Sequence, residues 1–199
     1  MKAGRAVKTA SLLALLLVAG CSGGGGEPAQ PEAAPPFADC AAVTTPPAGS
    51  GAAAATAGDA QPLPDVALPC FTGGETVSVR AIRGPAIVNL WGSWCPPCRD
   101  ELPAFQRFAD RAAGKVTVIG VDTRDDRSAA TSLATDAGLT YPNLYDPSEQ
   151  LRIKLRVTAL PATLFVDREG RVRHLYNSTA LDDATLATLA ARHLGVTLP

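Results

Sequence analysis

Residues 86–101 read Ala86-Ile-Val-Asn-Leu-Trp-Gly-Ser-Trp-Cys-Pro-Pro-Cys-Arg-Asp-Glu101. The first six form a short, nearly continuous apolar run, the pattern of a central strand covered on both faces. From about Pro96 the spacing of Leu102, Phe105, Phe108 and Ala109 predicts a helix to Ala113, with Gly114 as its stop. Two thiols, Cys95 and Cys98, thus sit one turn apart where a strand gives way to a helix. Such a pair is a structural crosslink, half of a metal site, or a redox reagent, and its surroundings decide which.

Outward from this stretch the chain alternates strand-like and helical runs, as an α/β domain does. Residues 116–121 read as the next buried strand, 128–137 as a helix closed by Gly138, 141–146 as an extended link and 147–155 as a further helix. Ala162 to Val166 is a strand, Asp167-Arg-Glu-Gly170 is turn chemistry, and Arg171 to Tyr176 returns as its hairpin partner. Leu181, Leu186, Leu189 and Leu194 mark a closing helix. This pattern starts at Leu63, so the folded domain is expected to span 62–199. Before it, residues 21–61 are Gly, Ala, Pro and Thr with almost no large apolar side chain, too little to offset chain entropy. They are expected to form a flexible tether with a reach of roughly 35 Å.

A chain of 199 residues with a net charge of −1 fits one domain plus appendages and has no field that would draw nucleic acid. Residues 1–20 carry Lys2, Arg5 and Lys8 and then an apolar segment, Ala10 to Ala19, too short to span a bilayer, which is the composition of an export signal. Its end, Leu17-Val-Ala-Gly-Cys21, resembles the cleavage box of bacterial lipoproteins. That resemblance implies an acylated Cys21 and an extracytoplasmic protein lipid-anchored to the cell membrane, held stably once two acyl chains contribute about 0.8 kcal/mol per buried methylene. An ordinary secretory signal with a leftover cysteine, or an uncleaved anchor, is the other reading.

Export places the remaining thiols in an oxidising compartment. With Cys21 assigned to lipid, Cys40, Cys70, Cys95 and Cys98 allow three connectivities. Cys95–Cys98, leaving Cys40–Cys70, is the economical one. Chain-entropy reasoning gives the longer loop at most about 3.5 kcal/mol. Cys40–Cys70 is expected to be structural, with a second redox relay as the alternative.

A C-x-x-C pair that follows a strand and opens a helix is the arrangement of thioredoxin-like redox proteins. Cys95 falls at the helix N-terminus, where unpaired amides and the macrodipole favour a thiolate. Cys98, a turn deeper, is placed to attack a mixed disulfide formed at Cys95. Neither Pro96 nor Pro97 has an N–H to offer the Cys95 sulfur, which predicts a less acidic thiol than that of a strong oxidant and tilts the direction toward reduction. Two other readings stand beside this one. A zinc site needs four ligands, and the only histidines, His174 and His193, have no supporting spacing. A static disulfide across so short a loop would stabilise little.

The run WGSWCPPCRDELP resembles the active-site region of the membrane-anchored thioredoxin-like proteins of bacteria, the TlpA/ResA/CcmG group, and most of all its actinobacterial lipoprotein members. The resemblance covers about Leu63 to Pro199. It implies a thioredoxin-like α/β fold, with a central mixed sheet flanked by helices, and a helix-strand insertion within Asp122 to Leu155 that shapes the partner surface. Leu160-Pro161 in VTALPATLFVDREG is similar to the cis-proline segment that faces the cysteines in such folds, which implies that the Leu160 backbone pairs with a substrate strand. Unaided, that proline is merely a strand-start residue. Asp100 and Glu101 are explained as acids complementing the helix dipole. The resemblance implies more for Glu101: a partly buried carboxylate that raises the nearby cysteine's pKa and relays its proton. Asn89 stands where thioredoxin itself has an aspartate, which leaves Glu101 as the proton carrier. Trp94 is expected to pack beside the disulfide and to meet the substrate.

By resemblance, then, the function is extracytoplasmic thiol-disulfide exchange by a monomer without metal or other cofactor. Its substrates would be exported proteins with cysteine pairs, such as the oxidised C-x-x-C-H of an apocytochrome c, with electrons from a membrane thiol transporter of the CcdA/DsbD type. A disulfide-forming oxidant is the first alternative. A peroxiredoxin-type peroxidase would use a T-x-x-C setting, absent around Ser93-Trp-Cys95, and a copper-delivery module would need a C-x-x-x-C spacing with His174 as its histidine.

Overall fold

The computed structural model describes residues 34–49 and 60–198. The expected signal peptide, Cys21 and most of the expected tether lie outside the described residues. In chain order the elements are β1 (Gln61–Pro62), β2 (Ala67–Pro69), β3 (Thr76–Ser78), β4 (Ala86–Trp91), α1 (Pro96–Ala112), β5 (Thr117–Thr123), α2 (Arg127–Asp136), β6 (Asn143–Asp146), α3 (Gln150–Lys154), β7 (Ala162–Val166), β8 (Arg171–Tyr176) and α4 (Asp183–Leu194).

Six strands form one mixed sheet in the order β1-β8-β7-β4-β5-β6, and β2 with β3 makes a separate hairpin. β4 runs parallel to β5, and β5 to β6, whereas β7 is antiparallel to β4 and β8 to β7. Every residue of β4 is buried, as its apolar run predicts. Alternation sends its side chains to two cores. Ile87 and Trp91 join Val118 of β5, Leu102, Phe105 and Phe108 of α1, and Leu186 and Leu189 of α4. Ala86, Val88 and Leu90 join Ile119, Val121, Leu144 and Leu164 together with Leu68 and Val77 of the hairpin. On the first face the Trp91 ring N–H donates to Asn143 Oδ1 at 2.8 Å across Gly120. A β-carbon at Gly120 would lie 1.8 Å from that oxygen, so only glycine lets β4 and β6 be bridged there.

Two regions differ from the sequence reading. The extended link at 141–146 contains β6, a true sheet strand parallel to β5. More consequentially, part of the segment assigned to the tether belongs to the fold: Phe37, Cys40 and Val43 are buried. Phe37 meets Phe71 edge-on at 4.9 Å, and Cys40 is bonded to Cys70. The Ala38 N–H donates to Thr140 O at 2.8 Å, and the Gly49 N–H to Gly114 O at 2.7 Å. Average composition misses this segment because just three buried anchors hold it, Phe37, Val43 and the crosslinked Cys40, with polar and small residues around them.

Candidate active site

β4 delivers the chain through Gly92-Ser93-Trp94 to the start of α1. Cys95 is the N-cap, in an extended conformation, and Pro96 and Pro97 fill the first helical positions, where a missing N–H costs nothing. The amide that does reach the Cys95 sulfur is that of Cys98, donating at 3.3 Å. Cys95 and Cys98 are joined as a disulfide with 5.3 Å between their Cα atoms. Neither sulfur stands out at the surface: Cys95 is 3% exposed and Cys98 0%. What separates them is a cleft of about 350 Å³, lined by Cys95 but not by Cys98, with Trp94, Arg124, Arg152 and Leu160 among its walls. A partner sulfur entering that cleft meets Cys95.

The side of the cleft away from α1 is the loop Thr158 to Leu160. The Leu160–Pro161 peptide is cis, and so is Gly84–Pro85, which the sequence reading did not anticipate. The Asn177 amide donates to Ala159 O at 2.9 Å and to Pro161 O at 2.8 Å, pinning the backbone on either side of Leu160. No described residue hydrogen-bonds the Leu160 N–H or carbonyl. Trp94 is 45% exposed on the rim, its ring N–H bonded to Thr123 O at 3.1 Å and its face covered by the Arg124 guanidinium at 4.9 Å.

The turn before the helix is clamped from the end of β5. Asp125 accepts both the N–H of Ser93 and its hydroxyl, the latter at 2.7 Å, while the Cys95 N–H closes the turn onto Gly92 O at 3.1 Å. Sequence reading gave Ser93 and Asp125 no role at the site; an acid two residues beyond a buried strand gives no signal until the two loops are seen side by side.

Glu101 lies on the face of α1 that carries Cys98, and it is buried. Its Oε1 accepts from the Asn89 amide at 2.7 Å and its Oε2 from the Leu181 N–H at 2.9 Å. Burial outweighs both bonds and pushes the carboxyl up to about 7. Asn89, read from the sequence only as the loss of an aspartate, is thus the side chain that holds Glu101. The Asn89 amide also reaches Thr163 Oγ1 at 3.4 Å.

The second disulfide, Cys40–Cys70, has Cα atoms 5.9 Å apart and both residues 2% exposed, and neither residue lines the cleft. It ties the 34–49 segment to the end of β2, where Cys70 bridges to Leu144 of β6. His174 and His193, on β8 and α4, stack on each other at 4.1 Å beside Phe165. His174 lines a different cavity from that of Cys95. Among the described residues no group of three or more His, Cys, Asp or Glu is placed to hold a metal ion.

Comparison with known proteins agrees with this geometry. A thiol:disulfide interchange protein DsbE of Pseudomonas fluorescens biotype C is 32% identical over 118 residues, 58% of this chain and 65% of that protein, so the match spans a little under two thirds of the relative. The sporulation thiol-disulfide oxidoreductase A of Bacillus subtilis is 30% identical over 59% of this chain and 74% of its own length. Among solved structures, a secreted thiol-disulfide isomerase from Corynebacterium glutamicum superposes with a TM-score of 0.57 at 27% identity, covering 69% of this chain and 88% of that one. Residues 60–175 match the AhpC/TSA family. With its thioredoxin-like mixed sheet and its C-x-x-C pair at a helix start, the chain belongs to the AhpC/TSA family and is a homologue of the thiol-disulfide oxidoreductases named DsbE and ResA.

Proposed function

We propose that this protein is an extracytoplasmic thiol-disulfide oxidoreductase whose Cys95/Cys98 pair exchanges electrons with exported proteins. The observation that carries the reading is the cleft, which presents one sulfur of the pair and withholds the other. In the reducing direction, the Cys95 thiolate attacks a partner disulfide, forming a mixed disulfide and expelling one partner thiolate. Cys98 then attacks Cys95 Sγ, which expels the second partner thiolate and restores the Cys95–Cys98 bond. Two electrons pass to the partner and two protons follow. Glu101, holding its proton to about pH 7 on the face of Cys98, is the group suited to take the Cys98 proton as that thiol becomes nucleophilic. The unpaired Leu160 backbone offers an extended partner one donor and one acceptor irrespective of sequence.

Reduction is the preferred direction because Pro96 and Pro97 leave the Cys98 amide as the hydrogen-bond donor to the Cys95 sulfur among the described residues. Exported proteins with cysteine pairs, an apocytochrome c among them, are the substrates that the family resemblance implies. A thiol transporter of the CcdA/DsbD type supplies the electrons, and acylation at Cys21 sets the place of action at the cell membrane. Equilibration of the Cys95/Cys98 couple with glutathione tests the direction. A reduction potential near or below about −250 mV is expected, and one near −120 mV would make the protein an oxidant of thiols.

A further inference from the structure

Asp122, the sixth residue of β5, is a carboxylic acid with no exposed surface. Sheet register places it between Trp91 of β4 and Tyr145 of β6, on the face that carries the Cys95 helix. No N–H or O–H of the described residues reaches either of its oxygens. Its polar neighbour is the carboxyl of Asp125, the group that holds both donors of Ser93 in the turn before Cys95. Two carboxyls in contact with no donor between them are stable only if one carries a proton. The other charges around them are those of Asp126 and Arg127, and Tyr145 is the remaining titratable neighbour. Arg127 is drawn outward, over the rings of Phe71 and Tyr145 and onto Phe71 O at 2.7 Å.

We propose that Asp122 is a positioning residue: in its neutral form it donates its proton to Asp125 and so fixes the carboxylate that holds the Cys95 turn, and the turn loosens when that proton leaves to solvent. The Ser93 clamp then binds with one negative charge rather than two. A second charge would repel Asp125 across the contact and would also disfavour the nearby Cys95 thiolate. Burial, followed by the Asp125 charge, pushes the Asp122 carboxyl up to about 9, so the turn is held throughout the neutral range.

The consequence for exchange rests on the function proposed above, but the proton itself can be read in the oxidised protein, where neither thiol of the pair titrates. Trp94, bonded to Thr123 O one residue from Asp122, is the reporter. Tryptophan emission of the oxidised protein, excited at 295 nm and followed from pH 7 to 10.5, should shift in a step centred near pH 9. Asp122→Asn keeps a donor toward Asp125 and has no proton to lose, so the step should vanish while the neutral spectrum is unchanged. Carbon-13 spectra of aspartate-labelled wild-type protein read the same event without a variant, as one carboxyl titrating near pH 9. A step that persists in Asp122→Asn, or a wild-type protein whose aspartates have all titrated by pH 6, overturns the proposal. Loss of exchange activity with the emission step intact would count against the proposed function instead.

Discussion

Cys95–Cys98 closes a loop of three residues at the start of α1, and Cys40–Cys70 closes one of thirty between an N-terminal segment and a hairpin. Both bonds are almost completely buried, so exposure does not tell them apart. Their neighbours do. The first has a cleft in front of one sulfur, a helix N-terminus under it and a buried carboxyl behind its partner. The second lies in the cluster of Val43, Leu68, Val77 and Leu144, with the Thr72 hydroxyl 3.3 Å from Cys70 Sγ, and neither of its sulfurs lines the cleft. The short loop contributes little chain entropy to stability and the long one contributes much more. On the proposed function, the first crosslink is the one that opens and the second stays closed.

Breaking the first bond should have the largest effect. Cys95→Ser is expected to lower turnover of a disulfide-bonded peptide by about 10³-fold or more, the scale on which an enzyme loses its nucleophile. Thermal stability should change little. The converse experiment replaces Cys40 and Cys70 together by alanine. Unfolding in urea should then move to a lower midpoint, with a loss of about 2–3.5 kcal/mol, while the rate of exchange at Cys95 stays within about twofold of the wild type. A comparable loss of exchange in this double variant would erase the distinction between the two bonds.

The third effect is confined to a pH window. From about pH 4.5 to 7 the unfolded Glu101 carboxyl is ionised while the folded one still holds its proton, so the folded state binds more protons and stability falls as pH rises. The size is about 3 kcal/mol across that window, with no further change above it. Glu101→Gln should remove this contribution, read as a smaller drop in the urea midpoint between pH 4.5 and pH 7.5 than the wild type shows, with the part due to Asp122 remaining. It should also flatten the pH dependence of exchange near 7. The smallest effect belongs to the cleft wall. Asn177→Ala frees the carbonyls flanking Leu160, and should raise KM for a protein substrate several-fold while leaving the reaction with a small disulfide reagent unchanged.

Much of the frame is legible in the sequence. The apolar run of β4, the spacing of Leu102, Phe105 and Phe108 on α1, and the Asp167 to Gly170 turn between β7 and β8 each carry a local signal that tertiary contacts reinforce. β1, β2 and β3 do not, because strands of two or three residues are shorter than the alternation needed to notice them. The same limit hid the 34–49 segment, where Phe37 is informative only beside Phe71 and Trp91. At the site, the cysteine spacing declares itself, whereas the Glu101 environment depends on Asn89 from β4 and Leu181 from the approach to α4. Asp122 lay just past the strand read as 116–121, and its burial depends on Trp91 and Tyr145 from the two neighbouring strands.

The most direct test of the central claim is to trap the mixed disulfide. A Cys98→Ser protein, reduced and mixed with an oxidised cysteine-pair peptide, should form a covalent adduct, and tryptic mass spectrometry should locate it on Cys95 with Cys40–Cys70 still closed. No adduct, or one carried by Cys40 or Cys70, would contradict the account.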